Sequence, residues 1–129
     1  MSSFSNALGV SASGLKAQAH RLRIVAENVA NTDTPGYHRK LIFLGENRED
    51  PGIARVVLKR VSLDQRPGAQ IYDPGHPMAD GSGHYTGSNV DLVLEIADAR
   101  EAQRSYEANL KMFDQARQMS SGLMDLLRK

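Results

Sequence analysis

Apolar residues near the start of the 129-residue chain recur at the spacing of a helix that packs on another helix. Between Phe4 and about Ala30, leucine and alanine alternate at steps of four and three residues. These positions, here called the N-terminal stripe, are Leu8, Ala12, Leu15, Ala19, Leu22, Ala26 and Val29. Small residues between leucines let two helix axes approach closely, so the stripe predicts a helical partner rather than a sheet. Because glycine weakens helices, we expect Gly9 and Gly14 to fray or bend this one when it is unpartnered.

A second periodic run extends from Asn89 to Leu127, after an expected cap formed by Ser88 with Asp91. The C-terminal stripe consists of Leu92, Ile96, Ala99, Gln103, Tyr106, Leu110, Phe113, Ser120, Met124 and Leu127. At about 1.5 Å per residue, each terminal helix would be roughly 40 to 55 Å long. A single antiparallel pair would leave much of both stripes facing water, so we expect other copies or other subunits to cover the rest. The isolated chain should then be partly disordered at both ends.

The middle of the chain is rich in Pro-Gly breaks, with short β-favouring segments between them. The segments at 41–44, 53–63 and 69–72 predict strands of a small, exposed hairpin. The predicted fold is therefore mainly α with a small β insert. Two long terminal helices pair as an antiparallel, coiled-coil-like unit, joined by a short middle rich in β-hairpins. Residues 1–40 plus 88–129 would form a discontinuous helical axial domain, and residues 41–87 the β-rich insert.

Composition argues against several classes of function. A formal net charge of +1 is far from the basic surface that nucleic acid requires, and the absence of cysteine excludes disulfides and thiolate catalysis. No basic leader, apolar secretory stretch or membrane span is evident, so we expect neither a cleaved signal peptide nor direct membrane insertion. No phosphate loop, nucleophile elbow or paired carboxylates occur, so we expect no enzyme and no cofactor.

One loop could hold a metal ion. Residues 73–84 contain Asp73, His76, Asp80 and His84, all of which are possible ligands. Their spacing matches no zinc or calcium loop, so solvated turn residues are the preferred interpretation. A small metal-binding module remains the alternative from a different functional class. A third possibility is an export adaptor that binds partner helices without polymerising.

The stretch NVANTDTPGY, residues 28–37, marks the end of the first helix. Asn31 can adopt a left-handed cap, and Pro35-Gly36 suits the centre of a type II turn. A helix stop is the plain interpretation. The sharper hypothesis is that the carboxamides of Asn28 and Asn31 fix the helix end against a neighbouring subunit while Tyr37 pins the returning chain.

The string ENVANTDTPGYHRK, residues 27–40, resembles the N-terminal signature of bacterial flagellar axial proteins, the rod, hook and hook-associated subunits. The motif positions are Asn28, Ala30, Asn31, Thr34, Gly36 and Tyr37. Residues 71–117 are similar to the C-terminal half of proximal rod proteins within that family. This second likeness rests on residues 72–80, residues 89–91, Arg104, Tyr106 and Asn109.

The resemblance implies a structural subunit of the proximal rod that polymerises helically and transmits torque across the periplasm. It implies export through the flagellum's own type III apparatus, with other rod subunits, further copies of the chain and basal-body export or ring components as partners. Terminal helices would form an inner tube, with the β insert outside. The expected subunit interface comprises Leu8, Leu15, Leu22, Val29, Tyr106, Leu110, Phe113 and Leu123. Another rod paralogue of the same family remains an alternative.

Overall fold

The computed structural model describes residues 3–48 and 52–128. In chain order its elements are α1 (Ser3–Ala30), β1 (Lys40–Asn47), β2 (Arg55–Leu63), β3 (Gln70–Tyr72), β4 (His84–Thr86) and α2 (Leu92–Leu127). The prediction of a mainly α chain with a small antiparallel β insert is confirmed. Residues 1, 2 and 129 of the expected helical domain, and 49–51 of the expected insert, lie outside the described residues.

The two helices lie side by side and run in opposite directions. Arg21 of α1 binds both Asp98 and Glu101 of α2, at 3.3 and 3.2 Å, while Asn28 near the end of α1 binds Glu95 near the start of α2. Since α2 has 36 residues and α1 has 28, α2 is the longer partner. Residues 121–127 of α2, and Arg128 after it, are all exposed.

The faces that pack differ from the predicted stripes. The buried residues of α1 are Ser11, Gly14, Ala17, Ile24, Val25 and Asn28. In the N-terminal stripe, Val29 and its three alanines are exposed and its three leucines are half-buried. On α2 the buried residues are Glu95 and Ala102. Coiled-coil pairing through the predicted stripes is therefore not confirmed, because small and polar side chains occupy the closest part of the contact.

The two glycines of α1 serve as contact points. The helix continues through both, and a Cβ at Gly14 would lie 2.7 Å from Oδ1 of Asn109 on α2. A Cβ at Gly9 would lie 2.8 Å from the guanidinium of Arg55, at the start of β2. Each glycine therefore lets a side chain from another element reach the backbone of α1.

The β insert contains two separate hairpins. β1 pairs with β2 from Lys40 opposite Leu63 to Asn47 opposite Arg55, with a bulge between Phe43 and Leu44. This hairpin packs on α1, where the Val56 amide donates to Ser13 Oγ at 3.1 Å. β3 pairs with β4, a strand that the sequence did not predict because its three residues show no clear alternation. Whether the insert is a separate domain stays a prediction.

The predicted cap of the second helix is wrong by one turn. The helix begins at Leu92, and the N-cap is Asp91, whose carboxylate accepts a hydrogen bond from the Val93 amide at 3.0 Å. Ser88 instead donates its hydroxyl proton to the Thr32 carbonyl. It therefore ties the segment before α2 to the end of α1. Neither α1 nor α2 is apolar enough over a sufficient length to cross a membrane.

Candidate functional site

A polar junction holds the two helices and the β insert together. We define it as Asn28, Arg39, Asp64, Asn89 and Glu95, which come from five separate places in the sequence. Asn28 is 1% exposed and Glu95 is 0% exposed. A buried polar group stabilises a fold only when its hydrogen bonds are satisfied, so the geometry of these five residues determines what the junction can do.

Asn28 uses its whole carboxamide inside its own chain. Its Oδ1 accepts from the Tyr37 hydroxyl at 2.9 Å and from the Lys40 amide at 2.8 Å. Its Nδ2 donates to the Lys40 carbonyl at 3.0 Å and to Glu95 Oε2 at 3.3 Å. Burial raises the pKa of Tyr37, which keeps the hydroxyl protonated as a donor. The chain returning from the turn is thereby fixed to the end of α1.

Arg39 lies at the centre of the charges. Its Nε donates to Glu95 Oε1 at 2.7 Å, and its guanidinium also lies 3.7 Å from Asp64 and 3.6 Å from Asp98. With only 11% of the Arg39 side chain exposed, this is a buried ion pair. Removing either partner alone would leave an uncompensated charge, so the pair strongly favours this one arrangement of the elements.

Asn89 joins the start of α2 to three other segments. Its Oδ1 accepts from the Arg39 amide at 2.6 Å, and its Nδ2 donates to the carbonyls of Asp64 and Arg66, both at 2.9 Å. Its own amide donates to the Tyr37 carbonyl at 3.1 Å. The side chain of Asn89 thus holds together the end of β2, the start of β1 and the segment that precedes α2.

Asp64 forms the outer edge of the junction. The Arg66 side chain donates to both carboxylate oxygens of Asp64, and the Arg66 amide donates to Oδ1. These hydrogen bonds, with the nearby charges of Arg66 and Arg39, lower the pKa of Asp64 to about 2. Asp64 therefore stays ionised at any pH at which the protein is expected to work.

The turn after α1 agrees only in part with the prediction. Gly36 has a φ of 73° and the Tyr37 amide donates to the Thr34 carbonyl at 3.2 Å, as expected for a type II turn. The predicted left-handed cap is wrong, since Asn31 has a negative φ and makes local bonds to Glu27 and Thr34. Docking of Asn28 on a neighbouring subunit is also wrong, because this chain uses all of its hydrogen-bonding groups.

The expected interface residues differ in their exposure within one chain. Leu8, Leu15 and Leu22 are half-buried, as are Tyr106 and Phe113. By contrast, Val29, Leu110 and Leu123 are 41%, 41% and 46% exposed. Their role in subunit contacts stays a prediction, and exposure leaves the last three available to another chain.

The loop at 73–84 is a structured turn. Asp80 Oδ1 accepts from the Ser82 amide, the Ser82 hydroxyl and the His84 amide. The ring of His76 stacks on Tyr85 with centroids 3.9 Å apart. Within residues 3–48 and 52–128, no three His, Asp or Glu side chains are grouped so that they could hold a metal ion. The geometry therefore offers no support to the metal-binding alternative.

Sequence reasoning did not identify Arg39, Asp64 or Glu95 as site residues, and it used Asn89 only as part of a motif. One signal was available, since Glu95 is the only charged residue in the apolar run LVLEIA, residues 92–97. An acid on the inner side of an amphipathic helix predicts a buried partner. The identity of that partner could not be found from spacing, because Arg39 is 56 residues away in the sequence.

Two family models match the chain at segments that include Asn28, Asn89 and Glu95 of the junction, while Arg39 and Asp64 lie outside both. The one described as flagella basal body rod protein matches residues 8–38, which include most of α1 and the turn. The one described as flagellar basal body rod FlgEFG protein C-terminal matches residues 82–126, which include β4 and nearly all of α2.

Curated relatives are similar over most of the chain. The flagellar basal-body rod protein FlgC of Agrobacterium fabrum is 41% identical, covering 99% of this chain and 98% of the relative. FlgC of Aquifex aeolicus is 41% identical over 84% and 85% of the two chains, and FlgC of Salmonella typhimurium is 31% identical over 88% and 90%. These relatives confirm the resemblance seen in residues 27–40 and 71–117. The chain belongs to the FlgC family of flagellar basal-body rod proteins.

Proposed function

We propose that this chain is a structural subunit of the proximal rod, that it polymerises helically, and that it transmits torque across the periplasm without catalysing a reaction. The observation that carries the proposal is how little of its apolar surface one chain can cover. Among the described residues, the buried hydrophobic side chains are Ala17, Ile24, Val25 and Ala102, whereas nineteen large hydrophobic residues are exposed. A monomeric protein rarely exposes so much apolar surface, so further chains are needed to cover it.

The two uncovered helix faces fit each other in the polymer. The outer face of α1 carries Val29 and the alanines of the N-terminal stripe, whose leucines are half-buried, and the outer face of α2 carries Leu92, Ile96 and Leu110. Contacts between unlike faces repeat without closing, which produces a helical polymer.

The polar junction would keep each subunit rigid within that polymer. Torque passes through a shaft only if each part keeps its internal geometry under load. Buried ion pairs and satisfied carboxamides fix the angle between the helix pair and the β insert more strictly than apolar contacts alone. If one element shifted by one residue against another, buried charges would be left unpaired. The junction therefore provides orientation, and the exposed stripes provide assembly.

We further propose that other rod subunits and the export and ring components of the basal body are partners, and that the chain is exported without a cleaved signal peptide. The thin hydrophobic core of the helix pair supports export of this chain in an unfolded state. Little buried surface means that little free energy must be supplied to unfold it.

The test is Leu22→Asp, which puts a charge in the N-terminal stripe. We expect loss of motility and of rod assembly, with secretion of the subunit unchanged, because a buried unpaired charge would destabilise each inter-chain contact. The matched control is Arg23→Asp, at the next residue of the same helix, which is exposed and off the stripe. Circular dichroism of both purified variants reports whether α1 still forms. Motile cells carrying Leu22→Asp would overturn the role of the stripe.

A further inference from the structure

The hairpin of β3 and β4, with the loop between them, forms a finger that stands apart from the helices. We define the finger as residues 70–86. Within the part of the chain that the structure describes, β3 and β4 pack against each other and against no other helix or strand. The base of the finger is held by the Gly36 amide, which donates to the Thr86 carbonyl at 3.1 Å. The finger is therefore anchored beside the junction and otherwise free of its own chain.

The finger is ordered by its own hydrogen bonds. The Asp73 amide donates to the Gly83 carbonyl at 2.9 Å, the Asp80 amide to the His84 carbonyl at 2.8 Å, and the Ala79 amide to the His76 carbonyl at 3.0 Å. The side-chain bonds of Asp80 and the stacking of His76 on Tyr85 add to these. A preorganised loop loses little conformational entropy when it binds, which is a property of binding loops.

The tip of the finger presents an apolar side chain between acidic ones. Met78 is 61% exposed, and Tyr72, where β3 meets the loop, is 67% exposed. Asp73 and Asp80 are the charged residues of the finger, and no lysine or arginine occurs anywhere in residues 67–99. Hydrogen bonds from Ser82 and His84 lower the pKa of Asp80, so its charge is retained. The expected receptor has an apolar floor and a basic rim.

Such a receptor exists on the body of the same chain. A cleft of about 270 Å³ lies between α1 and β2, with an apolar floor formed by Ala17, Val56, Val57 and Leu58. Lys16 and His20 line its α1 side, and none of its lining residues is acidic. We call this the basic cleft. Methionine adapts its shape to irregular apolar gaps, so Met78 suits the floor.

We propose that the finger of one copy docks in the basic cleft of a second copy, with Met78 on the apolar floor and Asp73 and Asp80 facing Lys16. The argument is charge complementarity: a finger with two aspartates and no lysine or arginine meets a cleft lined by Lys16 and by no acidic residue. The inference rests on the proposed polymer, to which it adds a contact made by the β insert rather than by the terminal helices. Finger and cleft are different surfaces, so the contact repeats along a helix of subunits without closing.

The test is site-directed disulfide formation, for which this cysteine-free chain gives no background. Cells express two full-length copies, one carrying Met78→Cys and the other Leu58→Cys, and isolated basal bodies are oxidised. We expect a disulfide between the two copies, identified by mass spectrometry of the linked peptides. The matched control replaces Met78→Cys by Gln65→Cys, an exposed position outside the finger. It should give a yield about tenfold lower, because its effective concentration at the cleft is low.

Charge reversal then tests the complementarity itself. Asp73→Lys on the finger copy, or Lys16→Asp on the cleft copy, should each lower the yield of the disulfide about tenfold, and combining them should restore it. A finger that is only structural would give no such rescue. Assembled rods without the mixed disulfide overturn the docking proposal while leaving the rod function standing. A disulfide from Met78→Cys to a different rod protein also overturns it, since the partner would then not be a second copy.

Discussion

Asn28 shows how much of this fold depends on one side chain. Its carboxamide makes four hydrogen bonds, to Tyr37, Glu95 and both backbone groups of Lys40. Asn31 of the same motif makes only local bonds at the helix end. Two asparagines three residues apart thus have unequal roles, although nothing in the motif distinguishes them.

Substitution of these two residues tests the difference. Asn28→Ala should lower the free energy of unfolding by about 3 kcal/mol, because it leaves the Tyr37 hydroxyl and the Lys40 amide without a buried acceptor. Asn31→Ala should cost about 1 kcal/mol, since water can replace its bonds. Urea unfolding followed by circular dichroism measures both values. Equal losses would show that Asn28 has no special place in the junction.

The charge on Asp64 makes stability depend on pH in a predictable direction. Its pKa is about 2 in the folded chain, compared with an ordinary value of 3.8. A carboxylate with a lowered pKa stabilises the fold at pH values above its ordinary pKa, and this contribution is lost as the pH falls toward 2. We therefore expect Asp64→Asn to be less stable than the natural protein near neutral pH and to lose less stability on acidification between about pH 4 and pH 2.

Urea midpoints measured across that pH range check the prediction. The control is Asp125→Asn, an exposed carboxylate in the last turns of α2, far from the junction along the helix. The control should follow the natural protein at every pH. Parallel acid slopes for Asp64→Asn and the natural protein would contradict the role given to the Arg66 and Arg39 contacts.

Sequence reasoning at the residue scale succeeded where the cause is local. The type II turn at residues 34–37 follows from proline and glycine at fixed positions, so it could be predicted. The partners of Asn28 could not, because Glu95 lies 67 residues away. The spacing of residues along the sequence indicates which of them share one face of a helix or strand. It does not identify the residues on another element that contact that face.

The two helices show the same limit at the element scale. Their existence and approximate ends could be predicted from apolar periodicity, but the inward face could not. The leucines of the N-terminal stripe suggested that face, whereas they are half-buried and the helices approach closely where Gly14 meets Asn109. Small residues allow close approach of backbones, and in an assembly subunit the large apolar residues are left for other chains. A prediction that assumes one chain covers its own leucines therefore chooses the wrong face.

Glycine substitutions in the helices test this close approach. Gly14→Ala should destabilise the chain by about 1–2 kcal/mol, despite the gain in helix propensity, because the new Cβ would meet the side chain of Asn109. Asn109 is held by a 2.9 Å bond to the Ser105 carbonyl, so it has little freedom to move. Gly9→Ala meets only the mobile end of Arg55, so it should be neutral or stabilise by up to about 1 kcal/mol.

A double-mutant cycle completes that test. Combining Gly14→Ala with Asn109→Ala removes the clash and should recover the stability lost in the single glycine variant, as measured by urea unfolding. Gly122→Ala is the reference for helix propensity alone, since its Cβ would meet nothing within 4 Å, and it should stabilise the chain by up to about 1 kcal/mol. If Gly14→Ala were as stable as Gly9→Ala, the helices would not be in the close contact described here.

At the scale of the whole molecule, the surface of the chain is divided between self-support and assembly. The junction and the small-residue face support the fold, while the exposed part of the stripes, the finger and the end of α2 face outward. The first group is formed by residues distant in sequence, and the second by continuous segments. This is why the junction could not be anticipated from the sequence.

The end of α2 gives the clearest separation of the two roles. Leu126 and Leu127 are 66% and 73% exposed, in a segment where every described residue is exposed. Changing both to serine should therefore leave the free energy of unfolding of the purified chain within about 0.5 kcal/mol of the natural value. The same variant should fail to restore motility to cells lacking the natural gene, because two apolar side chains are lost from a contact that only other chains can provide.

The matched variant carries Asp125→Asn and Arg128→Gln, which alter the same two turns of α2 but keep the leucines. It should be as stable as the serine variant and should restore motility, since exposed charges contribute little to a helix contact. A large loss of stability in the serine variant would mean that the leucines belong to the fold of the single chain. Normal motility in that variant would mean that this end of α2 stays in water within the rod. Either result would remove the argument that exposed apolar surface marks assembly surface in this molecule, since these two leucines are among its most exposed hydrophobic residues.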